Sequence, residues 1–571
     1  MRIFYRLLLL LVALATYNVS VAQVIQPAPV TDTSSRAIQI VKGKNFRQKI
    51  IDSATTLITL AIDAMVRQGN TIISGDSIVV NQQTGVAEVF GNVHINDSDT
   101  VHTYAQYLRY VGNERIAYLK KNVKLTDGKA VLNTNELEYN LATGIATYSK
   151  GGKVINGKTV LTSDDAVYYS DSKQVYFKKD VHLTDPKYDI RADSLLYNTE
   201  LSVANFISPT VIKTKDGTIN TSSGSYNLKT GDAIFLDRTA ISDSTHSMIG
   251  DRIASDEKSG IIQIEGHGKL VDSANSVIVL GDQILLDRNK NSFLATRKPV
   301  MIFYKDNDST YVSADTLFSG LRKYDSLQRK NLGAADTIKK VTALDVANAS
   351  KDSSLDKEAT NEVGAKDSIT KATAVDLNAT NKDSIRYFIA FHHVRIFNDS
   401  LQAVSDSLHY STEDSTFKLF RDPVFWNNGT QVSGDTMYLF TEKQKAKRLY
   451  VFNNGMVINR TKEGLFNQMS GRTLNGYFKN GDIDYIRVKG SPAESIFYPQ
   501  DDDSAYIGMN YSNGDVIDIF FIKKELNKVK FINNVNGTMY PLSQIPDDKK
   551  FLRRFNWMDK RRPKNKLELF E

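Results

Sequence analysis

Eight histidines and a recurring aspartate are the residues of this 571-residue chain whose types could do chemistry. His94 and His182 stand in matching settings, GNVHIND and KDVHLTD, between Val93 and Ile95 and between Val181 and Leu183. That alternation puts both imidazoles on the polar face of a strand, turned to solvent and not converging on a metal. His392 and His393 are adjacent at a break in a strand, so their side chains diverge. Asp76, Asp164, Asp193, Asp251, Asp282, Asp315, Asp406 and Asp435 each open a similar segment. A ladder of carboxylates suits calcium; the competing role is an aspartate hydrogen-bonding the turn into each strand. Second carboxylate ligands and glycine-rich loops are missing, which favours the turn role. No nucleophile elbow, zinc-protease helix, P-loop or dinucleotide fingerprint occurs, and with no cysteine there is no thiolate chemistry. The expectation is a protein that is not an enzyme and has no metal and no cofactor. A net charge of +7, from 72 basic and 65 acidic residues, leaves no nucleic-acid footprint.

The elements that position these residues repeat. GDSIVVNQQTGVAEVFGNVHIND (Gly75–Asp97) aligns without a gap on AQYLRYVGNERIAYLKKNVKLTD (Ala105–Asp127). Further units start at Thr134, Ser163, Ala192, Thr221, Gly250, Gly281 and Ala314, with steps of 30, 29, 29, 29, 29, 29, 31 and 33. A fixed period in this range denotes stacked supersecondary units. Within a unit the fourth and sixth positions are usually apolar or aromatic, as in Leu137 and Tyr139, and the residue between them is often polar or charged, as with Arg109 and Glu138. A turn such as YNLATG (Tyr139–Gly144) follows, with Asn to bond the local backbone and Gly to accept a positive φ. The return strand alternates again, through Ala146 and Tyr148. It then breaks, at Gly91–Asn92, Lys121–Asn122, Gly151–Gly152, Ser208–Pro209 or Lys298–Pro299, and resumes. Such a break predicts a corner between two facing sheets. Abundant Tyr and Phe, 27 and 26, suit β structure.

The pattern stops after Ala314–Gly320. Residues 322–384 are rich in Lys, Asp, Ser, Thr and Ala and read as a disordered insert in one hairpin turn. The frame resumes at Arg386–Asp399 and continues from Ser405 and Gly434, 29 residues apart, with looser units near Gly471 and Gly514. Residues 1–22 read as a cleaved signal peptide, with Arg2 and Arg6, the apolar run Leu7–Ala15, and Ser20 and Ala22 before the cut. Residues 23–70 form an N-terminal segment, read either as an atypical first unit or, over Ile50–Met65, as a helix. The repeats occupy 71–321 and 385–541. The basic, aromatic tail 542–571 reads as a solvated, partly disordered end, or as a contact for anionic headgroups or a partner through Phe551, Phe555 and Trp557.

The GD-x-Φ-x-Y … GNV-x-I units resemble the OstA-like (organic solvent tolerance A-like) family of periplasmic lipopolysaccharide-transport proteins. The resemblance runs over Thr71–Pro541, and DSLHY…DSTFKLFRDPVFWNNGTQVSGD (Asp406–Asp435) and FNWMDKRRP (Phe555–Pro563) look like long envelope members. The fold expected is all-β, an elongated open β-jellyroll of about thirteen repeats of roughly 29 residues. The resemblance implies that acyl chains of lipopolysaccharide or lipid A lie in an apolar trough between the sheets. It also implies other lipopolysaccharide-transport proteins as partners, met by edge-strand pairing, in the periplasm or at the outer membrane. The inward positions that would line the trough are Ile78, Val80, Val89, Val93, Ile95, Leu108, Tyr110, Leu119, Val123, Leu125, Leu137, Tyr139, Tyr148, Tyr168, Phe177, Val181, Leu183, Leu195, Tyr197, Phe206 and Phe235. Alternation alone fits a closed core equally well. Two other readings stand beside the carrier: an outer-membrane β-barrel, against which the recurrent corners argue, and a structural or adhesive β-solenoid with a closed core.

Overall fold

The computed structural model describes residues 37–52, 55–215, 217–244, 246–273, 276–305, 308–323, 384–442, 445–501 and 503–570. The expected signal peptide lies outside them, as does the low-complexity insert apart from its ends. Residues 322, 323 and 384 are already strand. Among the described residues the regular elements are β-strands joined by short turns, with a few 3₁₀ turns after Tyr540. Strand pairing is antiparallel. The chain divides into two compact units, Met1–Val154 and Ile155–Glu571.

In the first unit, long strands run Thr55–Gln68, Thr71–Asn81, Val86–Asp97, Val101–Val111, Ile116–Thr126 and Ala130–Asn140, each paired with the next. Thr55–Gln68 settles the open reading of Ile50–Met65 against a helix. Its threonines and isoleucines are β-branched, and Ile58, Leu60, Ala64 and Val66 are buried on alternate positions. Each strand bends once. In Val86–Asp97 the bend is Gly91–Asn92, both left-handed at φ 66° and 45°. Pairing passes from Ser77↔Phe90 to Ser74↔His94 across it, so the bent strand carries an extra residue there. Lys121–Asn122 does the same one strand pair later.

These corners explain the aspartates. Asn92 Nδ2 donates to both carboxylate oxygens of Asp76 at 3.0 Å. A Cβ at Gly91 would lie 2.2 Å from Asp76 Oδ2 as that carboxylate is placed, while the matching corner position beside Asp435 is held by Asn453. In the second unit the same bond joins Asp435 to Asn454, Asp251 to His267, Asp315 to His393 and Asp406 to His392. At these five positions the carboxylate pins a neighbouring strand's corner, whereas Asp193 accepts from the adjacent Ser194 hydroxyl. Neighbouring His392 and His393 do diverge, one to Asp406 and one to Asp315.

The hairpin turns form a second ladder. Asn140 Oδ1 accepts from the backbone of Ala142 and Thr143, and Leu141 N donates to Arg115 O at 2.9 Å. Asn227 repeats this with Lys229 and Thr230, and Leu228 N reaches Ser202 O at 3.0 Å. Each turn thus sits on the one before it, and this fixes the 29-residue step.

In the second unit the tail departs from the expected solvated end. After strands Met509–Ile522, Glu525–Ile532 and Asn536–Tyr540 the chain runs back over the outer face of its own sheet. Leu552 is buried among Met456, Ile458, Ile496, Tyr498 and Met509, with Phe555 and Trp557 packed on Phe466 at 5.3 and 5.4 Å. Met558 packs on Val404, Val424 and Trp426. Three buried glutamines hold this strap. Gln468 accepts from Leu552 N and donates to Lys550 O; Gln431 accepts from Met558 N and donates to Asn556 O; Gln402 accepts from Arg562. Arg395 ends the strap by donating to Glu568 O at 2.6 Å.

Candidate functional site

All the residues expected to line the interior are buried. The most exposed, Tyr168, reaches 6%, and Ile78, Val89, Ile95, Leu108, Tyr110, Phe177, Leu183, Leu195 and Tyr197 have none of their surface in water. They fall into two groups. Ile78 through Tyr148 line the interior of the first unit, and Tyr168 through Phe235 that of the second. Cross-strand pairing puts them face to face: Ile78 opposite Val89, Val89 opposite Leu108, Leu108 opposite Leu119, Leu119 opposite Leu137. Beyond each corner a second layer begins, with Ile73 opposite Ile95 and Leu125 opposite Leu132. The apolar row continues past Phe235 through Ile253, Ile264, Ile284, Leu286 and Phe293, at the same repeat positions. The list drawn from the sequence stopped short of them although the pattern did not.

The corner closes one long side of this interior. Tyrosine hydroxyls close the other. Tyr139 OH donates to Asp97 Oδ2 at 3.1 Å, and Tyr110 OH to the buried Gln68 side chain. In the second unit Asn156 Nδ2 donates to Tyr197 OH at 3.1 Å, and Tyr226 OH meets Tyr188 OH at 2.5 Å. Each tyrosine holds the sixth position of its unit, beside the hairpin turn. Asp97 and Asn156 are the last residues of earlier units, at the far end of the opposite layer. The bonds therefore span the mouth of the folded sheet. Burial pushes the Tyr110 hydroxyl up to about 12 and raises those of Tyr197 and Tyr226, so all stay protonated. Sequence reasoning found the tyrosines but missed their partners. The signal was the Asp or Asn ending each unit, as in GNVHIND and GGKVIN.

The histidines are not gathered. His182 pairs with Asp189 at 2.8 Å, and His94 lies 3.2 Å from His102, its proton affinity lowered by burial and then by that neighbour. Among the described residues no three His, Cys, Asp or Glu side chains are grouped to hold a metal ion. No helix among them is long and apolar enough to cross a membrane.

A folded antiparallel sheet of 29-residue units with an apolar interior defines an all-β protein of the jellyroll type. Residues 37–193 match the OstA-like protein family. Part of the chain is also similar to a solved structure, "Crystal structure of LptH, the LptA homologous periplasmic component of the conserved lipopolysaccharide transport device from Pseudomonas aeruginosa". The similarity covers 19% of this chain and 84% of that one, at 14% identity and a TM-score of 0.18. No curated protein matches the chain.

Proposed function

We propose that the protein is a periplasmic, non-enzymatic carrier in lipopolysaccharide transport, and that acyl chains ride between the two layers of its folded sheet. The observation that carries this is the interior itself: apolar at every repeat, shut by covalent corners on one side and by single tyrosine hydrogen bonds on the other. The tyrosine side is the side that can open. A hydrogen bond of this kind contributes about 1 kcal/mol net, whereas each buried CH₂ contributes roughly 0.8 kcal/mol. One acyl chain of about a dozen carbons therefore outweighs several latches. The match of residues 37–193 to the OstA-like protein family supports the reading.

The end strands support a bridging role. Among the described residues Asn45–Asp52 pairs with Thr55–Gln68 alone, and Phe46, Ile50 and Ile51 are between 54% and 72% exposed. Glu525–Ile532 also pairs along one edge, but Lys523, Lys524, Lys528 and Lys530 are exposed around it. Charged edges resist strand addition and apolar ones invite it. The N-terminal edge is thus the one suited to pair with another transport protein.

The near-zero exposure of the interior favours a second reading, a structural solenoid whose core never opens. Solvent extraction of the protein purified from its envelope, followed by mass spectrometry, separates the two. The carrier retains acylated lipid in stoichiometric amount; a protein free of lipid is the solenoid.

A further inference from the structure

The outer face of the second unit changes character in its last third. Where Thr436–Glu442, Lys445–Arg460, Phe466–Lys479, Asp482–Phe497 and Met509–Ile522 lie side by side, the residues between the corner and the turn form cross-strand rows of rings and cations. One row pairs Tyr438 with Tyr450, Tyr450 with Asn475 and Asn475 with Arg487; the next pairs Arg448 with Tyr477 and Tyr477 with Tyr485. Arg448 lies 5.6 Å from the Tyr450 centroid and 5.9 Å from that of Tyr477, and its Nε donates to Asn475 Oδ1 at 3.1 Å. Tyr477 and Tyr485 stack at 5.5 Å. Among the described residues Arg448, Lys489 and Lys528 have no carboxylate partner. Arg448 therefore keeps its charge and outer donors for something outside the chain.

On the corresponding face of the first unit Tyr107 OH is bonded to Glu88 and Lys150 is paired with Glu136, while Lys124 lies 5.8 Å from the Tyr104 centroid. We infer that the ring-and-cation rows around Arg448, Tyr450, Asn475, Tyr477 and Lys489 bind an acidic saccharide, a sugar bearing phosphate or carboxylate. Aromatic rings pack on the C–H faces of sugar rings, guanidinium and ammonium groups take the anion, and the Asn475 amide takes a hydroxyl. A lipid surface is disfavoured because the aliphatic side chains nearest the rows, Leu449, Val451, Leu474, Ile486 and Val488, are turned inward and buried, leaving Ile522 as the exposed one at the end of its strand. The inference does not use the interior, and it stands or falls apart from lipid carriage.

Calorimetric titration of the full chain tests it with four probes: a fully deacylated glucosamine disaccharide bisphosphate, a disaccharide containing N-acetylmuramic acid, neutral chitobiose, and phosphatidylglycerol vesicles. At least one acidic disaccharide binds about tenfold more tightly than chitobiose. Preference for the phosphate points to a lipid headgroup and preference for the carboxylate to a cell-wall glycan. Arg448→Gln and Tyr477→Ala each weaken binding about tenfold, with melting temperature unchanged. Three results overturn the proposal: equal affinity for acidic and neutral sugars, binding of the vesicles alone, or unaltered affinity in both variants.

Discussion

Two stretches of this molecule repeat the same interior pattern and differ outside it. In the first unit, the position three residues before each unit start carries Ile72, His102 and Val131, which are half-buried on an uncovered outer face. In the C-terminal part of the second unit the same position carries Gln402, Gln431 and Gln468, exposed by 3%, 0% and 0%. Their neighbours change with them: Trp426, Met456, Ile458 and Ile496 replace polar residues, and the returning tail covers them all. A two-layer fold has become three layers. Glutamine serves here because its amide offers one donor and one acceptor, as a backbone does, and so pairs with an irregular strap that cannot keep strand register.

The largest effect that separates the regions should come from removing residues 542–571. Burying Leu552 and Leu569 alone is worth about 3–6 kcal/mol. Hydrogen exchange should then speed in strands Leu401–Ser411 through Met509–Ile522 and stay unchanged in Thr71–Asn140. Equal loss of protection in both would mean the strap is not local to the face it covers. Next comes Gln431→Ala, which strands Trp426 Nε1, Met558 N and Asn556 O and should cost roughly 1–3 kcal/mol in chemical denaturation. Its counterpart Val131→Ala should cost under about 1 kcal/mol. Matching losses would remove the distinction between covered and uncovered faces.

The repeated interior is probed by Tyr139→Phe, which deletes one mouth bond and keeps the ring. It should lower stability by about 0.5–1.5 kcal/mol and raise the lipid retained on purification; a drop in retained lipid would argue that the hydroxyl holds ligand rather than the mouth. The smallest contrast lies at the corners. Asn92 does not titrate, but His267 does, and its bond to Asp251 raises it above the ordinary 6.5. The bonds from His267 and Arg238 in turn lower Asp251 below 3.8. The raised imidazole contributes fully below pH 6.5 and loses its contribution as pH rises through its folded value. The lowered carboxylate contributes above pH 3.8 and loses its share as pH falls through its own folded value. Between those limits the His267 corner is at its firmest, while the Asn92 corner is indifferent to pH over the imidazole range. Proton NMR of the imidazole in wild type and Asp251→Asn reads this directly: the variant should titrate near 6.5.

The period of two and the period of 29 were legible because burial selects on both. Ile78, Leu108 and Leu137 recur since each packs against its copies. The corner was legible from Gly91–Asn92, where backbone geometry limits the choice of residue. Its partner was not, because Asp76 reads equally as a turn former until the fold sets it beside Asn92. The strap escaped notice for a different reason. A basic tail with scattered aromatics has no periodicity, and three buried glutamines on distant strands do not announce what they hold. Buried glutamine at a nominally outward position is the sign to look for.

Lys323 and Ser384 pair as neighbours, and Gly320 pairs with Tyr387 in the same uninterrupted register. The strands on either side of residues 324–383 meet at one rung. Register at this hairpin is therefore set by the strands and owes nothing to the connection. That makes it a splice point: a fluorescent protein or an affinity module placed here should leave both the interior and the strap intact, since doubling a loop's length costs only about 0.6 kcal/mol. The same freedom would let descendants of this chain acquire a new domain at this address while keeping their fold.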